Sequence, residues 1–196
     1  MKKFTRKQKT HWMAKTAIMS AIAIVLMYLE VPLPFVPPFL TLDFSEVPIL
    51  IAAFSLGPVS AIAMELIKNL AHLILKGPVA FGLGQLANFL IGCAFVVPAA
   101  IVYRRHKSKK TALAGMAVGV LSMTLFASLA NYFVLLPFYA RVMEFPVEAI
   151  VGMANEAGNK LVTDLRTLVV FAFAPFNLVK GVVVSIIVMI VYKKVS

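Results

Sequence analysis

Acidic side chains and cysteine are scarce in this sequence of 196 residues. Asp and Glu total 8 against 19 Lys and Arg, so the formal net charge is +11. The single cysteine, Cys93, lies inside an apolar run and has no partner in the chain. An intrachain disulfide is therefore excluded, and a reactive thiol is not expected in such surroundings.

Sequence motifs for catalysis, metal binding and nucleotide binding are also missing. The chain has no G-x-x-x-x-G-K-[ST] phosphate loop, no H-E-x-x-H spacing and no Ser, His and Asp set that the topology would assemble. Residues 82–87 match the dinucleotide pattern G-x-G-x-x-A, but no strand precedes them and no acidic residue follows at the required distance. We expect neither an enzyme nor a bound metal or cofactor, and a transport role would need a partner that hydrolyses ATP.

Apolar residues dominate the chain. They make up 61% of it, and the mean hydropathy is +0.93, far above that of a soluble domain. The first apolar run, residues 12–29, is too long for the core of a signal peptide and lacks a small-residue cleavage site behind it, so we expect it to remain as a helix. The composition predicts an all-α integral membrane protein in which residues 1–196 form one transmembrane domain.

We predict six transmembrane helices, at about residues 12–30, 47–56, 58–76, 80–103, 111–139 and 162–192. The second is too short to cross a bilayer alone. An even number places both termini on one side, which also receives the basic clusters at residues 2–15, 104–110 and 193–194. By the positive-inside rule that side is cytoplasmic, and these basic residues are expected to meet lipid headgroups rather than nucleic acid.

The last apolar run carries Asn177 and Lys180 near its middle. A central lysine costs about 2.5 to 3.5 kcal/mol on insertion scales, so it should face the protein interior or a watery cavity. The two residues are three apart and share one helix face, and Pro175 can bend the helix just before them. A role in ligand contact is favoured. The alternative is a lysine that snorkels or pairs with a nearby acid for assembly alone.

Other spans carry polar residues at a similar depth. In the third span Glu65 and Lys68 are expected to form a structural ion pair, because they are three residues apart on one stripe. Further candidates for ligand contact lie in the middle or outer half of their spans: Asn69, His72, Gln85, Asn88 and Asn131. The alternatives are hydrogen bonds between helices and, for the histidine, a satisfied core side chain. Together with Asn177 and Lys180 of the last span, these residues predict an amide-rich site that is open to the outside and suits a small neutral ligand.

The loop after the first span contains four prolines between residues 32 and 38, which prevent a helix. Residues 40–44 alternate apolar with polar, as a short strand would. We interpret the loop as a stiff flap over the outer mouth, with Asp43 at the same end. The alternative is a connecting loop that the prolines only stiffen. The outer loop at 141–160 is expected to be a solvated amphipathic segment.

Ala17 and Ala21 in the first span form a small-xxx-small pair that allows another helix to approach closely. Packing within this protein and docking of a separate protein explain the pair equally well.

Five segments closely resemble the riboflavin-specific S components of energy-coupling-factor (ECF) vitamin transporters. They read LTLDFSEVP at 40–48, LIKNL at 66–70, ANFL at 87–90, NYFVLLP at 131–137 and PFNLVKG at 175–181. The resemblance extends over nearly the whole chain. It implies a six-helix fold in a bacterial plasma membrane, binding riboflavin near the extracellular surface with the first loop as a lid.

The resemblance also implies roles for particular residues. Those matching flavin contacts are Asn131, Asn177 and Lys180, and those matching the lid are Thr41, Leu42 and Asp43. Ala17 and Ala21 match the surface that docks on a transmembrane coupling protein driven by two ATPase subunits. Riboflavin, with FMN as a second candidate, would be a transported ligand and not a cofactor.

Two other interpretations stay open at this stage. The chain could be an S component for another vitamin such as thiamine or biotin, or a membrane assembly factor that transports nothing and whose polar stripe is purely structural. An intramembrane enzyme is less favoured than either, since nothing resembles a nucleophile with its base.

Overall fold

The computed structural model describes residues 5–195, and for residues 193–195 the backbone alone. Lys2 and Lys3 of the predicted basic cluster lie outside this range. The α-helices within it are α1 Arg6–Met27, α2 Glu46–Leu56, α3 Pro58–Lys76, α4 Leu83–Arg105, α5 Lys109–Ala130, α6 Leu136–Val142, α7 Val147–Glu156, α8 Leu165–Leu168 and α9 Ala174–Val195. A 3-10 turn, Ala80–Gly82, precedes α4, and π-helical segments Asn131–Leu135 and Val169–Phe173 join α5 to α6 and α8 to α9.

The helix boundaries follow local caps and breakers. Helix α3 has the predicted bounds, because Gly57 adopts a positive φ between it and α2 and Pro58 occupies its first turn. Helix α1 begins before the predicted start at residue 12, because Thr5 and Gln8 form a capping box. The fifth predicted span extends to residue 142, since its helix continues through a π-helical segment.

Five helical stretches in the described range are long and apolar enough to cross a membrane: Arg6–Met27, Pro58–Lys76, Ala80–Arg105, Lys109–Val142 and Leu165–Tyr192. Helix α2 is apolar but shorter, with 11 residues. A mostly helical, multi-pass membrane protein is therefore confirmed.

The first loop departs from an all-helical chain. It forms a small antiparallel hairpin in which β1, Val31–Pro32, pairs with β2, Thr41–Leu42. Strand β2 lies within residues 40–44, where the alternation of apolar and polar residues predicted a strand.

Within residues 5–195, two apolar clusters hold the helices together. The larger one joins α2, α3, α4, α5 and α9 around buried residues such as Ile49, Phe95 and Met116. Helices α4 and α5 approach so closely that a Cβ at Gly119 would lie 2.5 Å from the carbonyl oxygen of Phe95. Glycine is required there because any side chain would push the two helices apart.

The smaller cluster lies where the first loop, α7 and the start of the last span meet. Helix α7 buries Ile150 and Ala154 in it, and Val36 of the first loop packs into the same cluster. The segment at 141–160 was expected to be a solvated segment, and it does have an exposed side. Its apolar side, however, is packed against the first loop, and this follows from the amphipathic spacing of α7.

Candidate functional site

A cavity of about 630 Å³ lies beneath the first loop, between α3, α4, the π-helical segment after α5, and α9. Its walls are aromatic and aliphatic side chains that include Phe39, Phe173 and Phe176. The predicted residues that line it are Thr41, Asp43, Asn69, His72, Gln85, Asn88, Asn131, Asn177 and Lys180. Leu42 alone among the predicted contacts is not part of the lining; its side chain is buried on the other face of the strand.

Lys180 pairs with Asp43 in the wall of this cavity. Its Nζ donates to Asp43 Oδ2 at 2.7 Å, and the carboxylate also accepts from the backbone N–H of Ser45 at 2.9 Å and from the Ser45 hydroxyl. Both charged side chains are about nine-tenths buried. Lys180 therefore pairs with an acid, as the structural alternative in the sequence analysis predicted. Both partners also line the cavity, so the pair does not exclude contact with a ligand.

The charge state of Asp43 follows from these contacts. Burial by itself raises the pKa of the Asp43 carboxyl, but the charges of Lys180 and Lys68 and the hydrogen bonds from Lys180 and Ser45 outweigh burial. The pKa of this carboxyl is therefore held well below its usual range. The pair stays ionised, and it fastens the first loop to the last span.

Asn131 and Asn177 are oriented by their own helices. The Asn131 amide donates through Nδ2 to the carbonyl of Ala127 at 2.8 Å, and Asn177 donates in the same way to Phe173 at 2.8 Å. Each contact uses the amide nitrogen, so the Oδ1 oxygen of each side chain is the group that can accept a hydrogen bond from a ligand.

Both asparagines lie beside π-helical segments. Asn131 begins one segment, and Phe173 ends the other. A proline follows each segment by two residues: Pro137 in one case and Pro175 in the other. Proline removes a backbone donor and its ring crowds the carbonyl four residues earlier, so a wider helical turn before it relieves the clash. These prolines thus help to set the direction of the cavity's amides.

A second polar wall comes from α3 and α4. Asn88 Nδ2 donates to Asn69 Oδ1 at 3.0 Å, and Asn69 Nδ2 donates to the carbonyl of Glu65 at 2.9 Å. Gln85 lies 3.1 Å from Nδ1 of His72. Its amide also donates to the carbonyl of Gly77 and accepts from a backbone N–H, so Gln85 holds the turn between α3 and α4 as well as facing the cavity.

A buried ion cluster lies near this wall. Lys68 Nζ is 2.8 Å from Glu65 Oε2, which confirms the predicted pair, and it is also 2.8 Å from Glu46 Oε1. No sequence pattern indicated Glu46 as a partner of this pair. The available signal was that a buried acid at the start of an apolar helix, in a chain with few acids, needs a cation to compensate it.

Asn159 is a second residue that sequence analysis missed. Its Nδ2 donates to the carbonyl of Phe171 at 2.8 Å and to the carbonyl of Phe35 at 3.0 Å. The first of these carbonyls lies four residues before Pro175, which has no N–H to offer it. Asn159 therefore replaces a missing helix bond and ties the first loop to the last span.

Ala17 and Ala21 lie on the outer surface of α1. The buried face of this helix consists of Thr16, Ser20 and residues 23 and 27. Internal packing therefore does not explain the alanine pair, and its face is available to another protein.

The helices and the cavity define a multi-pass membrane protein with a polar chamber suited to a small organic molecule. Within residues 5–195, no three His, Cys, Asp or Glu side chains are grouped to hold a metal ion.

The chain is similar to known proteins over nearly its whole length. The sequence model of the family described as "ECF transporter, substrate-specific component" matches residues 11–192. The chain therefore belongs to the substrate-specific components of ECF transporters.

Individual relatives agree with this assignment. Riboflavin transporter RibU of Staphylococcus aureus is 36% identical over 92% of this chain and 87% of the relative. Riboflavin transporter FmnP of Bacillus subtilis is 34% identical over 92% of this chain and 89% of the relative. A solved S component of a bacterial ECF transporter superposes with a TM-score of 0.74 at 34% identity, covering 96% of both chains. These relatives are named as transporters, which confirms the expectation that the chain is a transport component and not an enzyme.

Proposed function

We propose that this chain captures riboflavin on the extracellular side of a bacterial plasma membrane, as the substrate-binding subunit of an ATP-driven ECF importer. The observation that carries the proposal is the cavity that gathers Asn131, Asn177 and Lys180 beneath the first loop. Its volume of about 630 Å³ falls within the range of about 300–1,000 Å³ usual for small-molecule sites. Two similar proteins are named as riboflavin transporters.

The chemistry of the lining suits a flavin. A three-ring system can stack among apolar and aromatic walls, such as those formed by Phe39 and Phe173. The carbonyl oxygens of Asn131 and Asn177 can accept from the imide N–H on the uracil-like edge of the ring, and Lys180 can donate to its carbonyl oxygens. The amide wall of Asn69 and Asn88 can bond the ribityl hydroxyl groups. FMN, which carries a phosphate group at the end of the ribityl chain, is a second candidate ligand.

The remaining parts of the proposal concern transport. Six helices cross the membrane with both termini in the cytoplasm, and the first loop, with Thr41, Leu42 and Asp43, closes over the bound vitamin. The outer alanine face of α1 docks on a transmembrane coupling protein that works with two ATPase subunits. The subunit then reorients in the membrane to release its ligand inside. Support comes from membership of the ECF family and from the exposure of Ala17 and Ala21.

A titration of riboflavin fluorescence with the purified full chain tests the ligand. Binding is expected to quench the flavin, and Lys180→Ala and Asn131→Ala are each expected to weaken binding by about 10- to 100-fold, as loss of a hydrogen bond in a buried site does. Lys160→Ala, an exposed lysine on the outer loop, is the matched control and is expected to bind normally. Saturable binding of thiamine or biotin without riboflavin binding would assign another vitamin. A folded protein that binds none of them would point to an assembly factor.

A further inference from the structure

A second hollow, of about 770 Å³, lies between α5 and α9 on the outside of the helix bundle. It is separate from the polar cavity and shares none of its lining residues. Ser185 is the polar side chain in its lining, and the hydroxyl group of Ser185 donates to the carbonyl of Gly181 at 2.7 Å. The groove is therefore apolar apart from this serine, whose hydroxyl group is hydrogen-bonded within α9.

Helical spacing explains why the groove runs along the helices. Leu113, Ala117 and Leu121 succeed one another at intervals of four residues on α5, and Ile186 and Ile190 do the same on α9. Residues four apart lie above one another on a helix, so they form two parallel walls. Because both helices belong to stretches that cross the membrane, the groove opens toward lipid.

The length of the groove matches one leaflet. Its lining on α9 extends from Leu178 to Ile190, which is about 18 Å at roughly 1.5 Å per residue. The hydrocarbon core is about 30 Å thick, so one leaflet contributes roughly 15 Å. An extended acyl chain therefore fits the groove along its length.

One end of the groove is basic. Lys109 lies four residues before Leu113, so it continues the same stripe of α5 just beyond the apolar lining, and its side chain is exposed. Arg105 ends the preceding helix and is exposed at the same end of the bundle. A ligand in the groove thus meets positive charge at this end and hydrocarbon along the rest.

We propose that the groove between α5 and α9 is a binding site for one anionic phospholipid, with an acyl chain along the groove and the phosphate group at Lys109. The charge at the groove's end favours this occupant over a helix of a partner protein, whose apolar face would leave the lysine without a counter-charge. The site does not depend on which vitamin the polar cavity binds.

Native mass spectrometry tests which lipid headgroup the groove prefers. The full chain is released from detergent in the presence of a measured excess of lipid. Phosphatidylglycerol is expected to be retained at one molecule per chain, and more strongly than phosphatidylcholine with the same acyl chains. Lys109→Gln is expected to weaken phosphatidylglycerol retention about fivefold, the usual effect of one lysine near an anionic lipid. Retention of phosphatidylcholine is expected to stay unchanged. Lys9→Gln, which removes an exposed lysine from α1, is the matched control.

A second pair of variants tests the groove itself. Ala117→Phe places a ring in the groove and is expected to abolish retention of both lipids. Ala114→Phe adds the same ring to an exposed position of α5 outside the lining and is expected to leave retention unchanged. Helix content by circular dichroism checks that both variants fold.

Three results would overturn the proposal. One is equal retention of the two lipids by the unmodified chain, together with indifference to Lys109→Gln. Another is equal behaviour of Ala117→Phe and Ala114→Phe. The third is a dimer, or a complex with a coupling protein, that is lost in Ala117→Phe while lipid retention persists, because the groove would then be a protein interface.

Discussion

The pair formed by Asp43 and Lys180 joins residues that are 137 positions apart in the chain. Each is costly to bury alone, and the pairing compensates for most of that cost. Since both groups line the cavity, the same contact stabilises the fold and lies where a bound ligand would reach it. A change at either residue is therefore expected to affect folding as well as binding.

Lys180→Met is expected to lower the free energy of unfolding by about 3–5 kcal/mol, because Asp43 would remain buried and charged without its partner. Combining it with Asp43→Asn removes the stranded charge and is expected to recover a large part of the loss. Thermal unfolding of the empty protein in detergent measures both. A double variant no more stable than Lys180→Met would mean that the ion pair is not what the lysine contributes.

Gly92 determines the position of the buried ion cluster from the side of α4. A Cβ at this position would lie 2.6 Å from Glu65 Oε2, and the Glu65 carboxylate cannot move without leaving Lys68. Gly92→Ala is therefore expected to destabilise the protein by about 1–3 kcal/mol, as overpacking does. Gly152→Ala is the control, because a Cβ there meets nothing within 4 Å and alanine favours the helix. Equal unfolding midpoints for the two variants would contradict this account.

At the scale of elements, the first loop is held by two neighbours and not only by the hairpin. Asp43 fixes its later part to α9, and its earlier part bonds to the segment after α7. In that second contact the backbone N–H of Phe35 donates to the carbonyl of Ala157 at 3.1 Å, and the Phe35 carbonyl accepts from Asn159. The segment at 141–160 thus supports the first loop.

Asn159→Ala is expected to lower the free energy of unfolding by about 1–3 kcal/mol, because the carbonyl groups of Phe35 and Phe171 lose their donor. Adding Pro175→Ala returns an N–H to the position four residues after Phe171 and is expected to recover part of the loss. Lys160→Ala, next to the support but exposed, is the control. Chemical or thermal unfolding in detergent provides the measurement. If the double variant recovers none of the lost stability, Asn159 does not act by replacing the hydrogen bond that Pro175 cannot make.

At the scale of the whole molecule, the polar cavity and the outer alanine face are built from different surfaces. The cavity lies inside the bundle, whereas Ala17 and Ala21 face outward from α1. The two proposed roles, capture of ligand and docking on a coupling protein, therefore belong to separate surfaces, and we expect that each can be altered independently.

Ala17→Trp and Ala21→Trp are each expected to abolish vitamin uptake by cells while leaving ligand binding to the purified chain unchanged, because bulk on this face blocks close helix approach. Ala114→Trp introduces the same side chain on an exposed part of α5 and is expected to preserve both activities. Uptake of labelled riboflavin, measured beside fluorescence titration, distinguishes the two steps. A parallel loss of binding and uptake would show that the cavity and the alanine face do not act separately.

The sequence by itself determined the class of the protein and the residue types of its cavity. Hydropathy is a local property, so it located the helices, and a polar side chain in an apolar span is costly enough to single out Asn131, Asn177 and Lys180 without any contact being known. The absence of a helix in the proline-rich first loop was equally predictable, because proline restricts its own backbone whatever its neighbours are.

Only the tertiary structure decided which of these residues meet. It paired Lys180 with Asp43, added Glu46 to the pair of Glu65 and Lys68, and turned Leu42 away from the cavity lining. It also gave Asn159 its role across 124 positions of sequence. The physical reason is that burial and hydrogen bonding depend on neighbours brought together by helix packing, and those partners leave no periodic signal in the chain.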